Sequence, residues 1–217
     1  LEVFPWWSPD GKYLYYASAR FVRKDTIENL DNETILRYKE IKYNLFRRSF
    51  DPASRRIGPP ELVFDAAALG KSATLPRISP DGHYLMFTLG EFGVFHIWHK
   101  DADLYLMDLR TRQVRPMTEI NSDDVESYHS WSSNGRWVVF SSRRYDGNYT
   151  RPFIAYIDKN GKGRKPFELP QEVPDMHRRF MRSYNIPEFM NGPVEITPQA
   201  FASLIRDTEA RPARQKN

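Results

Sequence analysis

Short runs of aromatic and aliphatic residues, set off by polar turn residues, recur along most of this chain, and they predict strands. One composite pattern occurs three times: an apolar residue, a four-residue turn, then a strand of aromatic and aliphatic residues. It reads Trp7-Ser8-Pro9-Asp10-Gly11-Lys12-Tyr13-Leu14-Tyr15-Tyr16, then Ile78-Ser79-Pro80-Asp81-Gly82-His83-Tyr84-Leu85-Met86-Phe87, then Trp131-Ser132-Ser133-Asn134-Gly135-Arg136-Trp137-Val138-Val139-Phe140. In such a turn Pro presets φ, Asp or Asn bonds its own backbone, and Gly takes the positive φ that closes a hairpin.

Around these turns strands are predicted at residues 3–7, 12–18, 43–50 and 61–64, at 75–78, 83–88, 103–107 and 114–117, and at 128–131, 136–141, 153–157 and 165–169. Asp51, Asp108 and Asp158 each close a third strand and open a polar turn before a fourth. The units are offset by 71 and 53 residues and read as an all-β partial β-propeller of three four-stranded antiparallel blades with loop insertions. A sandwich does not repeat one turn at the same place in every unit. Residues 1–170 are expected to form the blades and 171–217 a C-terminal extension, with 184–193 extended and Thr197 capping a short helix that starts at Pro198. A charged stretch, 20–42, interrupts the first unit, and Ile35, Leu36 and Ile41 give it a partial helical face.

The three turns, with the aromatic or aliphatic residue before them and the Tyr-Leu-Tyr-Tyr, Tyr-Leu-Met-Phe and Trp-Val-Val-Phe strands after, resemble the TolB-type propeller repeat. The same repeat is found in the propeller domains of prolyl-oligopeptidase-like proteins. The resemblance covers roughly residues 3–169 and departs at Ser133-Asn134, where Pro-Asp is replaced, and at the long insert of the first blade. It implies a ring of about six or seven blades, the remaining N-terminal blades of the same protein being partners of these three. It also implies a non-catalytic scaffold that binds a protein or a small ligand such as an oligosaccharide, in the periplasm or envelope of a bacterium and without a cofactor. An alternative is a propeller lyase acting on acidic oligosaccharides, which uses histidines and a divalent metal ion at the mouth of the ring. A propeller gate on a serine peptidase fits less well, because too few residues follow Leu169 for a catalytic α/β domain.

Composition narrows these readings. Hydrophobic residues at 40% with aromatics at 14% suit a folded, strand-rich chain. The net charge of +4 is modest, and the one loose basic cluster, Arg206, Arg211, Arg214 and Lys216, reads as a solvated tail rather than a nucleic-acid arm. No apolar run of about 18 residues exists to span a membrane. The absence of cysteine excludes disulfides, thiolate metal sites and cysteine nucleophiles. Neither a Gly-x-Ser-x-Gly elbow nor a phosphate-cradling glycine loop is present.

Strand direction sorts the loops. The turns at Ser8, Ser79 and Ser132 share a face with those at Asp51, Asp108 and Asp158, and the long connections between second and third strands lie on the other face. Ligand-binding residues concentrate on loops held by a rigid scaffold, so the long-loop face is the candidate, with His96, Trp98, His99, His129, Arg143 and Arg144 expected around the mouth of the ring. The metal alternative draws on His96, His99, His129 and His177. Arg143 and Arg144 also suit structural pairing with acids of a neighbouring loop, among them Asp123, Asp124 and Glu126. Trp6, Trp7, Trp131 and Trp137 are expected to pack between blades. Asp158-Lys159-Asn160-Gly161 starts like a calcium loop, but Lys162 and Leu169 stand where oxygen ligands are needed, so it reads as a hairpin.

Overall fold

The computed structural model describes residues 1–22, 24 and 30–207. Its twelve strands form three four-stranded antiparallel sheets. The first holds β1 (Glu2–Trp7), β2 (Tyr13–Ser18), β3 (Asn44–Asp51) and β4 (Arg56–Phe64). The second holds β5 (Ser72–Ile78), β6 (Tyr84–Gly90), β7 (Asp103–Asp108) and β8 (Val114–Pro116). The third holds β9 (Glu126–Trp131), β10 (Trp137–Ser142), β11 (Arg151–Tyr156) and β12 (Phe167–Glu168). Each sheet pairs its strands in chain order, and the first strand of each later sheet packs against the sheet before it. That is a propeller arc of three blades whose inner strands are β1, β5 and β9.

The repeated turns are alike in every bond. Ser8, Ser79 and Ser132 each accept from the N–H five residues on, of Tyr13, Tyr84 and Trp137, at 2.9, 2.9 and 3.0 Å. The same hydroxyl donates to Asp10, Asp81 or Asn134 at 2.6, 2.5 and 2.8 Å. Gly11, Gly82 and Gly135 take φ of 68°, 74° and 65°, which a side chain would strain. The turns after the third strands are built on Asp51, Asp108 and Asp158, whose carboxylates accept the N–H groups of Ala53, of Arg110 and Thr111, and of Asn160 and Lys162. The would-be calcium loop is thus a hairpin.

Two apolar seams hold the blades. Tyr15, Ala17 and Leu45 of the first meet Ala73, Leu85, Phe87 and Leu89 of the second. Met86, Leu104 and Leu106 of the second meet Val138, Phe140 and Phe153 of the third. β6 therefore sends alternate side chains into opposite seams, so the middle blade is apolar on both faces. Burying each large side chain contributes about 1.5–3 kcal/mol. Trp6 and Trp131 join the seams. Trp7 does not: it is 46% exposed and meets Phe50 of its own sheet edge-on at 5.2 Å. Trp137 likewise packs on Tyr156 within its blade, at 5.3 Å.

Each inner strand carries a bulge. Val3 to Trp6 spans three steps against two on β2, Thr74 to Arg77 three against two on β6, and Ser127 to Ser130 three against two on β10. The residue absorbing it, Phe4, Leu75 or Tyr128, has φ of 53°, 54° or 49° without being glycine. It stands four residues before the turn serine in all three blades.

In the insert of the first blade, α1 (Leu30–Leu36) is followed by a single 3-10 turn, Tyr38–Glu40. Ile35 and Leu36, expected on a packed face, are exposed, while Ile41 is buried. Glu33 is the residue the helix hides, paired with Arg37 at 2.5 Å. Residues 23 and 25–29 of the charged stretch lie outside the described residues, as do Arg211, Arg214 and Lys216. After β12 come α2 (Met176–Arg179) and α3 (Pro198–Asp207), the latter capped by Thr197, whose Oγ1 accepts from Ala200 N–H at 3.2 Å. Between these helices the extended chain folds back over the outer side of the third blade. Ser141 donates to the carbonyls of Tyr184 and Asn185 (3.0 and 2.7 Å), Thr150 to the Asn185 side chain (2.6 Å), and Arg151 to the Arg182 carbonyl (2.7 Å). No described helix is long and apolar enough to cross a membrane.

Candidate functional site

The long connection of the second blade, residues 91–102, is held from three sides. From the first blade, the Tyr38 hydroxyl accepts the N–H groups of Val94 and Phe95 at 2.9 and 3.0 Å. Tyr38 lies against Gly93, where φ is 70° and where a Cβ would collide with the tyrosine ring. From beneath, Ser72 donates to the Gly93 carbonyl at 2.7 Å. From the third blade, Arg143 reaches the Ile97 carbonyl at 3.4 Å. Phe92 meets His99 at 4.5 Å and Tyr38 at 5.7 Å, whereas Phe95 and Trp98 of the same loop are exposed.

Within this loop His96, Trp98 and His99 sit on or beside a 3-10 turn, His96–Trp98. His96 is 1% exposed and points inward, its Nδ1 2.8 Å from the Thr74 hydroxyl and its Nε2 enclosed without a partner. Burial, and then His99, pushes its pKa down to about 4, so it is neutral. His99 lies half-buried, 5.6 Å from His96 between ring centroids, and burial lowers its pKa too. Trp98 is 67% exposed, and the Arg143 guanidinium lies over its ring at 5.3 Å. Arg143 donates a second bond to the Gly147 carbonyl and so ties the long connections of two blades together.

Arg144 turns the other way. It pairs with the fully buried Glu126 at 2.9 Å, donates to the Ile120 carbonyl at 2.8 Å, and lies over the Phe153 ring at 4.5 Å. Burial raises the Glu126 pKa, against the hydroxyl of Ser122 and the charge of Arg144, and burial with Glu126 and Asp101 nearby lifts Asp103 to about 6. Arg144 is therefore spent on a structural pair. His129, expected at the mouth, is 2% exposed inside the seam between second and third blades. Its imidazole is enclosed by packing and closed to a ligand, which corrects the expectation that it lines the mouth of the ring. The structure thus brings together His96, Trp98, His99 and Arg143, and keeps His129 and Arg144 apart from them.

The metal set does not assemble. His96 is bonded to Thr74 and His129 is enclosed elsewhere, and the side chain of His177 on α2 lies outside the described residues. Among the described residues no group of three or more His, Cys, Asp or Glu side chains is placed to hold a metal ion. Reading the sequence missed Tyr38 and Thr74. Tyr38 lies in the least periodic stretch of the chain and gives no signal, whereas Thr74 precedes the strand that was predicted.

No family model and no curated protein matches the chain. Among solved structures it is similar to TolB from Acinetobacter baumannii, with 22% identity and a TM-score of 0.47 over 80% of this chain and 33% of that one. It is also similar to the β-propeller domain of the trilobed protease from Pyrococcus furiosus, with 16% identity and a TM-score of 0.42 over 79% of this chain and 43% of that one. An oligogalacturonate lyase in complex with manganese gives 13% identity and a TM-score of 0.47 over 75% of this chain and 40% of that one. The chain spans between a third and a half of the length of each.

Proposed function

We propose that the chain is a non-catalytic propeller scaffold of the TolB-like kind, which binds a protein or a small ligand on its long-loop face in the bacterial envelope. One observation carries this reading: Trp98 is two-thirds exposed on a loop that Tyr38, Ser72 and Arg143 hold fixed. An exposed indole with a guanidinium on its face, in a loop already ordered, binds with little ordering cost, and Trp and Arg are the residue types most often found at the centre of interfaces. Phe95, also exposed, extends the same apolar surface. The envelope assignment is supported by the resemblance of the repeated turns alone, and fractionation of cells expressing the complete protein tests it.

Site-specific photo-crosslinking tests the binding face. A photoreactive residue at position 98 is expected to give discrete adducts in cells, and one at His83, exposed on the tight-turn face, is expected to give none. Adducts from position 83 with none from 98 would transfer the binding surface to the opposite face and end this reading.

A further inference from the structure

Arg77 is a charged residue near the end of an inner strand, between Pro76 and Ile78. Its guanidinium lies over the ring of Trp6, on the inner strand of the first blade, 4.0 Å from the centroid. Its charge bears on His129, on the inner strand of the third blade, and its carbonyl accepts the Trp131 indole N–H at 3.3 Å. All three inner strands thus contribute a side chain to one place.

The charges there do not balance. Arg77 is half-buried, its Nε is enclosed without a partner, and among the described residues no carboxylate stands in ion-pair contact with it. Burial lowers its pKa from the usual arginine value, and the one opposing influence is the carboxylate of Glu188, on the segment that crosses the third blade. His129 supplies no counter-charge: burial holds it neutral, with a pKa of about 3, and both its ring nitrogens are enclosed and unpartnered. A guanidinium drawn out of water without an anion is costly, and an arriving oxyanion offsets that cost. With one face on Trp6, the group still offers the edge that carries its Nη nitrogens, a fork that matches the two oxygens of a carboxylate.

We propose that Arg77, seated on Trp6 beside His129, anchors a carboxylate-binding site where the three inner strands meet, with Glu188 as its intramolecular competitor. The site lies away from the long-loop face and does not depend on the function proposed there. A bound carboxylate accepts two parallel N–H bonds from Arg77, and His129 acts from behind as a positioning residue.

The test is an NMR titration of the chain with sodium malonate at constant ionic strength, following the indole N–H signals of Trp6, Trp131 and Trp137. Saturable shifts are expected at Trp6 and Trp131 and not at Trp137, which packs on Tyr156. Arg77→Gln should weaken the affinity about tenfold or more, the loss of one charge-assisted pair. Arg77→Lys, which keeps the charge without the fork, should weaken it several-fold, and unchanged Trp137 signals in both variants show that the fold persists. Glu188→Gln should tighten malonate binding. Saturation that survives Arg77→Gln, or a linear response in both the parent chain and Glu188→Gln, overturns the site. Unchanged affinity in Glu188→Gln overturns the role of Glu188 as competitor.

Discussion

At the scale of single residues, the turn serines separate a repeated motif from its setting. Ser79 is 1% exposed, while Ser8 makes the same bonds half in solvent. Replacing Ser79 by Ala leaves the partly buried N–H of Tyr84 without its acceptor, at a cost of up to about 1–3 kcal/mol. Water takes over that bond at position 8. Urea unfolding should therefore show Ser79→Ala clearly less stable than Ser8→Ala. The buried histidines set a pH dependence. His129 and His96 are neutral in the fold, with pKa values of about 3 and 4, and regain an ordinary value near 6.5 on unfolding. Below that value the unfolded chain binds more protons, so each histidine removes about 1.4 kcal/mol of stability per pH unit as pH falls toward its folded pKa. Asp103, raised to about 6, works in the opposite sense from there down to about 4 and offsets part of the loss. Unfolding midpoints should fall from pH 6.5 to 4, and His129→Gln should flatten the slope.

Among the elements, the loop of the second blade owes its shape to a tyrosine of the first. Tyr38→Phe keeps the ring against Gly93 and removes the acceptor for two backbone N–H groups. Hydrogen exchange of Val94 and Phe95 should speed up in this variant, with the hairpin amides of β5 and β6 unchanged; equal speeding throughout would show the latch to be global. The same element shows what was legible in the sequence. Hairpins closed by Pro-Asp-Gly or Ser-Asn-Gly, and those opened by Asp51, Asp108 and Asp158, were readable because local chemistry alone decides them. The starts of β5 and β9 were not, since Ser72, Thr74, Glu126 and Ser127 are buried polar residues whose fit depends on neighbouring blades. For that reason too His129 reads as a surface group. Arg77 and Met86 act on it from 52 and 43 positions away, and no local pattern records them.

For the whole molecule, the end of the chain belongs to the third blade. Residues 182–189 cover a face that includes Val139 and Pro152, in a setting where an adjoining blade would otherwise pack. Removing everything after Gln171 breaks the bonds made by Ser141, Thr150 and Arg151 and uncovers that face. At about 1 kcal/mol for each residue's contacts, the loss is about 3 kcal/mol. The shortened chain should melt at lower temperature and bind a hydrophobic dye more strongly; an unchanged melting temperature would show the contacts to be superficial. At the other end of the arc, Ile57 remains exposed beside Leu14 and Tyr16, and Leu62 of the same strand is exposed too, so the two ends of the arc are finished differently.

The extra residue in each inner strand bears on how such a chain tolerates insertion and deletion. Side chains before Phe4, Leu75 or Tyr128 and those after it keep their facing only because one position is absorbed between them. Deleting Leu75 would shift the phase, turning either Ala73 and Thr74 or Arg77 and Ile78 to the wrong side. The segment between α1 and β3 carries no strand phase, and its length is set instead by the reach of Tyr38 to the loop of the second blade. Copying a blade by duplication therefore requires the odd residue to be copied with it, which makes the unit of inheritance the strand, its bulge and the following turn together.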